Sequence, residues 1–549
     1  MVNTIIVQYL IPLIPLFFLK DSIEIFLLPK RFLITIFSSF LIGSNILKEK
    51  VLNIINPKVF LSFLVYITLN TIFISKLPLK SFSSLILFFV FYILIGIDFK
   101  YNERKFVHII NFSAIMISIY AYFQFFQIDP FFLNKDYSDY QLLNGVFSTL
   151  GNKNFVAEFL ASVVIFNLCY GYRRLINILY VSVVFLVLTK TTVFFLILFL
   201  IYFFIKDIKD KKSLMKWLLV LAVIISISYL SAHKVNIWQV KTLFDFSIKN
   251  SLSQRLYIWK TTFEVIKNYF MFGTGLGLFE EAFLYYQNEC VFDFDYNYFC
   301  DAKFAHNEVL QIFSELGIVG VTLIFLLFLP IIKYFFSSKY RPLLLYLIFQ
   351  SMFSFPMRLP SVIVLLFFVI NQAVINGKVP SKKLELNLFK RTIGIYVCIL
   401  FIAFSSLYFV SGIYMKQGMK KGTLAEKQVY FKKAIKINPG WYLPYYNAGI
   451  FYYNKGNYTE SLQLFNRALD YSKRPLIFFY RGLSFIGVGE NDMAIKDLEK
   501  FVEFYPVSYK AYYNLYMLYS QKDDDISKEK AIHYYEIYDS LLKALNSEH

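Results

Sequence analysis

Long apolar stretches recur through the first three quarters of this chain, and they limit its possible folds more than any other feature. A helix that crosses a bilayer needs roughly 20 mainly apolar residues, and about thirteen stretches before residue 412 qualify when snorkelling side chains extend the shorter ones. The composition agrees, since 57% of the 549 residues are hydrophobic and only 17% are charged. We therefore predict an all-α, polytopic membrane helix bundle. The expected spans lie near residues 4–19, 32–47, 58–76, 83–98, 107–126, 153–170, 175–189, 192–206, 217–233, 307–332, 342–355, 360–376 and 392–412.

Lysine and arginine concentrate in alternate loops between these stretches, and short basic loops stay on the cytoplasmic side of a membrane. The basic loops lie near residues 48–58, 100–105, 173–174, 206–216, 333–341 and 378–391. This pattern predicts a cytoplasmic N-terminus and an outer location for everything after residue 412. The formal net charge of +19 is then a topology signal and needs no nucleic-acid partner. No small-residue cleavage site follows the first apolar segment, so we expect a retained helix.

Two of the four cysteines, Cys290 and Cys300, lie in one long loop at 234–306 that this topology places outside. An oxidising compartment permits a disulfide between them, but two free thiols fit the spacing equally well.

The composition changes after residue 420 to polar, aromatic and helical, with a period near 34 residues. The segment "YYNAGIFYYNKGNYTESLQLFNRAL" and the copy after it resemble tetratricopeptide (TPR) repeats, with half a copy before them and a degenerate one behind. We expect a transmembrane domain at 1–412, a linker at 413–424 and an α-solenoid of TPR-type helix pairs at 425–549. Such stacked pairs suit peptides or protein partners. Their many tyrosines are interpreted mostly as packing, with stacking against sugar rings or peptide as the alternative.

Three polar segments fall on the expected outer side: Asn144 to Leu160, the turn "TKTT" at Thr189 to Thr192, and the long loop at 234–306. Five residues of that loop fall at helical spacing, which predicts a short amphipathic helix at the membrane surface. They are Arg255, Trp259, Thr262, Val265 and Ile266. A guanidinium suits phosphate because its fork donates two parallel, permanently charged hydrogen bonds. A snorkelling surface arginine is the alternative.

The same loop contains "GTGLG", Gly273 to Gly277, which lacks the strand and helix context of a nucleotide-binding fingerprint. We interpret it as a turn whose backbone amides approach a ligand or helix ends, or as simple turn geometry.

His306 and Asn307 stand directly before one of the longest apolar segments. The partial positive charge at a helix N-terminus disfavours imidazolium, so His306 would stay neutral and available as a base, while Asn307 is expected to cap the helix. A capping turn without chemistry is the alternative.

Together, "RLYIWKTTFEVIKNYFMFGTGLGLF", "AHNEVLQIFSELGIVG" and the earlier turn "GNKNFVAEFL" resemble the O-antigen ligase and polymerase superfamily, which includes protein O-oligosaccharyltransferases. The resemblance covers roughly 145–375. It implies a GT-C-like membrane glycosyltransferase that moves a glycan from undecaprenyl diphosphate to an acceptor hydroxyl, with no metal or other cofactor. His306 would be the catalytic histidine and Arg255 the catalytic cation that binds the lipid diphosphate. The expected substrate-binding residues are Gly151, Asn154, Lys190, Trp259, Gly273, Gly275, Gly277, Lys303 and Asn307.

One departure concerns the "TKTT" turn, where relatives often read Ser-Arg. Lys190 would supply the missing cation, and otherwise donor binding would depend on Arg255 with Lys303 or Lys153.

The expected location is the bacterial cytoplasmic membrane, with the repeats in the periplasm. The acceptor is open between lipid A core, a growing glycan and protein Ser or Thr, with the repeats favouring protein. The alternatives are a polysaccharide flippase, which should carry charges at the bilayer midplane, and a membrane-anchored TPR scaffold.

Overall fold

The computed structural model describes residues 2–20, 22, 24–49, 51–75, 78–97, 99, 101–126, 128–131, 146–172, 175–187, 189–207, 251–287, 302–420 and 422–547. Cys290 and Cys300, and the expected span at 217–233, lie outside these residues.

The part of the chain expected to cross the membrane is a bundle of packed helices, as the apolar stretches predicted. The helices are α1 (Val2–Leu16), α2 (Leu27–Glu49), α3 (Pro57–Ile74), α4 (Pro78–Gly96), α5 (Glu103–Phe125), α6 (Lys153–Tyr170), α7 (Ile176–Val187), α8 (Lys190–Asp207), α9 (Ser251–Asn268), α10 (Phe279–Tyr286), α11 (Glu308–Ser337), α12 (Arg341–Ser351), α13 (Pro360–Ile375) and α14 (Leu388–Met419).

Six of these helices, α2, α3, α5, α6, α11 and α14, are long and apolar enough to cross a membrane. Every expected span within the described residues coincides with a helix, and the shortest coincide with α1, α7, α12 and α13. The all-α membrane bundle is therefore confirmed, whereas a total of about thirteen spans stays a prediction.

A short antiparallel strand pair, which the sequence did not predict, joins two loops that are far apart in the chain. Strand β1 (Val51–Ile55) pairs with β2 (Ser381–Glu385), with Val51 opposite Glu385 and Ile55 opposite Ser381. The charge pattern had assigned both loops to the cytoplasmic side, so the pairing is compatible with that topology.

The repeat domain, residues 424–547, is a stack of helix pairs. Its helices are α15 (Leu424–Ile437), α16 (Tyr442–Tyr453), α17 (Tyr458–Tyr471), α18 (Pro475–Val488), α19 (Asn491–Phe504), α20 (Tyr509–Tyr519) and α21 (Asp525–Ser547). The first helices of successive pairs begin at residues 442, 475 and 509, which agrees with the period near 34. Tyr445, Tyr512 and Tyr519 are buried between helices, as the packing interpretation expected. Assignment to the TPR family stays a prediction.

The residues expected as a linker, 413–424, are instead mostly helical. Helix α14 runs unbroken to Met419, so at about 1.5 Å per residue its 32 residues exceed the roughly 30 Å of a bilayer core. Its last turns pack in the repeat domain, where Met415 is buried with Phe431 and Ala434, and the Ser411 hydroxyl donates to the Ala434 carbonyl at 2.9 Å. The end of the last span thus completes the first helix pair, which leaves the repeat domain joined by a continuous helix.

Candidate active site

His306 sits in a short turn whose backbone is fixed by three different side chains. The Trp259 indole on α9 donates to the Ala305 carbonyl at 3.0 Å, and the Ala305 amide donates to the Gln311 side chain at 2.7 Å. The Asn307 side chain accepts from the amides of Val309 and Leu310 at 3.0 and 3.1 Å, which confirms the predicted N-cap of α11.

The backbone of His306 is itself strained, because its φ is +50°, a left-handed conformation that non-glycine residues rarely adopt. The contacts of Ala305 and Asn307 on either side hold it there. The imidazole lies beside Phe355, with 5.6 Å between the ring centroids. Burial, and secondarily the nearby Arg255 guanidinium, lower the pKa of His306 from 6.5 to about 4. The ring is therefore neutral at neutral pH.

Arg255 extends from α9 to the same region, partly buried and within electrostatic reach of His306 and Glu158. Burial lowers the pKa of its guanidinium, and the Glu158 carboxylate acts in the opposite direction. Among the described residues Arg255 has no hydrogen-bonded or ion-paired partner. Its donors are thus not committed to another side chain of the described chain.

A buried ion group lies directly below the histidine turn. The Arg358 Nε is 2.7 Å from an oxygen of Glu308, the first residue of α11, and its Nη1 is 3.8 Å from Glu315, two residues before a break in that helix. Gln311 joins the group by donating to Glu315 at 2.8 Å. Burial opposes the charge of Arg358, but the two carboxylates outweigh it and raise the pKa of the guanidinium. The same Gln311 holds the Ala305 amide, so the ion group and the histidine turn share one side chain.

Glu158 on α6 forms a second polar centre at the bundle's interior. One of its carboxylate oxygens accepts from the Ser354 hydroxyl and from the Gln350 amide, the latter at 3.3 Å. Gln350 also donates to Thr192 at 3.0 Å. Thr192 belongs to the first turn of α8, because that helix begins at Lys190. The expected "TKTT" turn therefore ends earlier than predicted.

The glycine-rich turn packs against a break in α11, which reads as one continuous apolar segment in the sequence. Gly317 has φ +60° and ψ −173°, which is not helical. The amides of Thr274 and Gly275 donate to the carbonyls of Ser314 and Glu315 at 3.0 and 2.9 Å. In return, the amides of Ile318 and Val319 donate to the Phe270 and Met271 carbonyls at 2.9 and 3.3 Å. These bonds satisfy backbone groups that the break removes from the helix ladder.

Glycine is required on both sides of this contact. A Cβ at Gly273 would lie 2.3 Å from the Glu315 carbonyl carbon, and one at Gly317 would lie 2.4 Å from that of Met271. The turn amides predicted to approach a ligand or helix ends therefore approach a helix break. Gly277, with φ +76°, completes the turn.

The turn before α6 carries Gly151 and Asn154. Asn152 caps α6 by accepting from the Asn154 amide at 2.8 Å, and a Cβ at Gly151, where φ is +79°, would overlap the Phe26 ring. The buried Lys30 ammonium holds this turn by donating to the Thr149 carbonyl at 2.6 Å.

The structure thus brings together His306, Asn307, Trp259 and Arg255. Lys190 and Lys303 are exposed, and Gly151, Asn154 and the loop glycines have packing or capping contacts. Sequence reasoning missed Lys30, Glu308 and Arg358. A signal was available for all three, because charged residues inside or at the ends of apolar stretches are rare and functional by default.

These features define an all-α membrane protein with a polar site, containing a neutral histidine and an uncommitted arginine, at one end of its helix bundle. Residues 175–325 match the family described as O-antigen ligase. The matched segment includes Arg255, Trp259, the glycine turn and His306. The match supports the predicted resemblance to the O-antigen ligase superfamily and, with it, a membrane glycosyltransferase of this general type. No curated protein matches the chain.

Proposed function

We propose that the protein transfers a glycan from an undecaprenyl-diphosphate carrier to an acceptor hydroxyl at the outer face of the cytoplasmic membrane. The observation that carries this proposal is the partly buried, neutral His306 imidazole, held in a fixed turn and within electrostatic reach of the Arg255 guanidinium. A base and a cation are the two groups that such a transfer requires.

His306 would accept the proton of the acceptor hydroxyl as its oxygen bonds to the anomeric carbon of the glycan. The bond from that carbon to the diphosphate oxygen breaks in the same step, and the lipid diphosphate leaves with the electron pair. General-base help of this kind contributes about 10² to 10⁴ in rate.

Arg255 would bind the diphosphate and stabilise the negative charge that develops on its leaving oxygen. Its presence also affects His306, because a nearby cation lowers the imidazole pKa. An anionic diphosphate would offset that cation and raise the pKa of His306. Donor binding would therefore make His306 a stronger base when the reaction needs one.

The acceptor is proposed to be a protein Ser or Thr, because the repeat domain offers a surface suited to polypeptide. An open groove of about 590 Å³ lies between α15, α16 and α17, and Lys432, Arg467, Glu460 and Asp470 bring both signs of charge to it. Mixed charge and aromatic lining fit a polypeptide better than a uniformly anionic glycan. Lipid A core and a growing glycan chain are the other outcomes of the test.

The test is gene deletion followed by complementation with wild type, His306→Ala or His108→Ala at matched membrane levels. His108 is an exposed histidine at the start of α5 and serves as the control. Lipopolysaccharide, capsule and glycoproteins are profiled side by side. We expect one glycoconjugate to disappear on deletion. It should return on complementation with wild type or with His108→Ala, but not with His306→Ala. Full restoration by His306→Ala would refute the catalytic role.

A further inference from the structure

The repeat domain contacts the segment between α9 and α11 through the short helix α10 and the residue after it. Arg474, at the start of α18, forms an ion pair with Glu280, and the Ser472 hydroxyl donates to the Glu281 carboxylate at 3.2 Å. These contacts join parts of the chain that are almost 200 residues apart. Helix α14 connects the two domains without a break, and this restricts movement of the repeat domain relative to the helix bundle.

Two further contacts extend this surface beyond the ion pair. The Tyr285 ring lies 6.0 Å from that of Phe504 at the end of α19, and the Gln287 side chain donates to the Phe504 carbonyl at 3.4 Å. The Arg474 and Glu280 side chains are only 18% and 14% exposed, so solvent screens their attraction less than that of a surface pair. The surface therefore combines a shielded ion pair with apolar and polar contacts.

The opposite face of α10 packs in the cluster that supports the site. Phe279 and Phe283 are fully buried with Tyr257 of α9 and with Ala305, the residue before His306. Tyr257 stands two residues after Arg255, and its hydroxyl donates to the Gln287 carbonyl at 3.1 Å. Helix α10 thus lies between the repeat domain and the two segments that carry His306 and Arg255.

We propose that the repeat domain is part of the transferase site: docked through Arg474 and Ser472 on Glu280 and Glu281, it holds α10 and thereby positions His306 and Arg255. Glu280 and Arg474 are positioning residues in this account, since they touch neither His306 nor Arg255. The docking of the repeat domain on α10 does not depend on the proposed function. The effect of this docking on glycan transfer rests on the proposed function.

The first measurement is hydrogen exchange of the full chain, followed in residues 279–287 and 302–310. Glu280→Arg and Arg474→Glu each place like charges together, and we expect about tenfold faster exchange in both segments. The double charge reversal restores the attraction and should return exchange toward wild type. Lys528→Glu, an exposed charge on α21, is the control and should change nothing.

The second measurement is glycan transfer by the same four variants. We expect each single reversal to lower kcat by about 10- to 100-fold, because a displacement of about 1 Å at reacting groups can cost about 100-fold. The double reversal should recover most of the lost kcat. A general loss of folding would not be reversed by the second substitution.

Each outcome decides the proposal. Single reversals that exchange like Lys528→Glu, or that exchange faster but transfer normally, overturn it. Rescue of both measurements by the double reversal supports it. If wild type itself shows no transfer, the proposed function fails while the exchange data still decide the docking.

Discussion

Replacing Arg358 by methionine should destabilise the protein and disable the site together. The substitution keeps most of the side-chain volume but removes the cation between Glu308 and Glu315. Those carboxylates are 9% and 1% exposed, so water cannot take the place of the guanidinium. Two like charges would then remain, two and nine residues after the histidine.

The expected cost follows from the burial of the group. Removing one partner of a buried ion pair typically costs about 3–5 kcal/mol, and we expect the lower end here because 27% of the Arg358 side chain is exposed. Transfer should fall as well, since Glu308 stands two residues after His306 and Gln311 links Glu315 to the histidine turn. Arg358→Lys should be intermediate, because it keeps the charge but not the fork.

The assay is thermal unfolding of the purified proteins in detergent, with transfer measured on the same samples. Arg341→Met, at an exposed position at the start of α12, is the matched control for loss of one arginine. Equal unfolding midpoints for Arg358→Met and Arg341→Met would refute the reasoning, because they would show that the two glutamates do not depend on the buried cation.

Gly317→Ala should lower the free energy of unfolding by about 1–3 kcal/mol more than Gly377→Ala, measured by thermal unfolding. Both positions have positive φ, but only at Gly317 would a Cβ clash with backbone atoms. Equal losses would contradict the close-approach explanation. The kcat/KM of the enzyme should fall on acidification with a limb near pH 4, since protonation of His306 removes the base. A limb near pH 6.5 in the kcat/KM profile would show that the pKa of His306 is not lowered. Lys190→Ala should cut transfer sharply, whereas Lys206→Ala at the other end of α8 should not. Near-normal transfer by Lys190→Ala would remove the substitute-cation hypothesis.

Local features of the fold could be predicted from the sequence because they depend on neighbouring residues. Apolar length identified the helices, and the sequence His306-Asn307 before an apolar run identified the cap of α11. The linker at 413–424 stays a prediction, but its first residues are helical because apolar length marks where a span leaves the bilayer, not where its helix ends. Helix α14 continues to Met419 because Met415 packs against residues of the repeat domain.

Features that depend on distant partners could not be predicted in this way. The break at Gly317 exists because residues 270–275 supply the backbone hydrogen bonds that the helix loses there. No sequence pattern within α11 predicts this partner segment. The strand pair likewise joins residues more than 300 positions apart. Arg358 was overlooked because its two carboxylates belong to another helix, although a charge between two apolar stretches was itself a signal.

The surroundings of the cations near the site explain why Arg255 is the best candidate for donor binding. Arg358 already faces two carboxylates, and an incoming diphosphate would compete with them at little net gain. Lys30 donates to two backbone carbonyls and secures the turn before α6. Arg255 is attracted by Glu158 without a hydrogen bond to it among the described residues, so its donors are free to exchange a distant carboxylate for a phosphate in contact. The assignment of Arg255 thus rests on the engagement of Arg358 and Lys30 as well as on its own position.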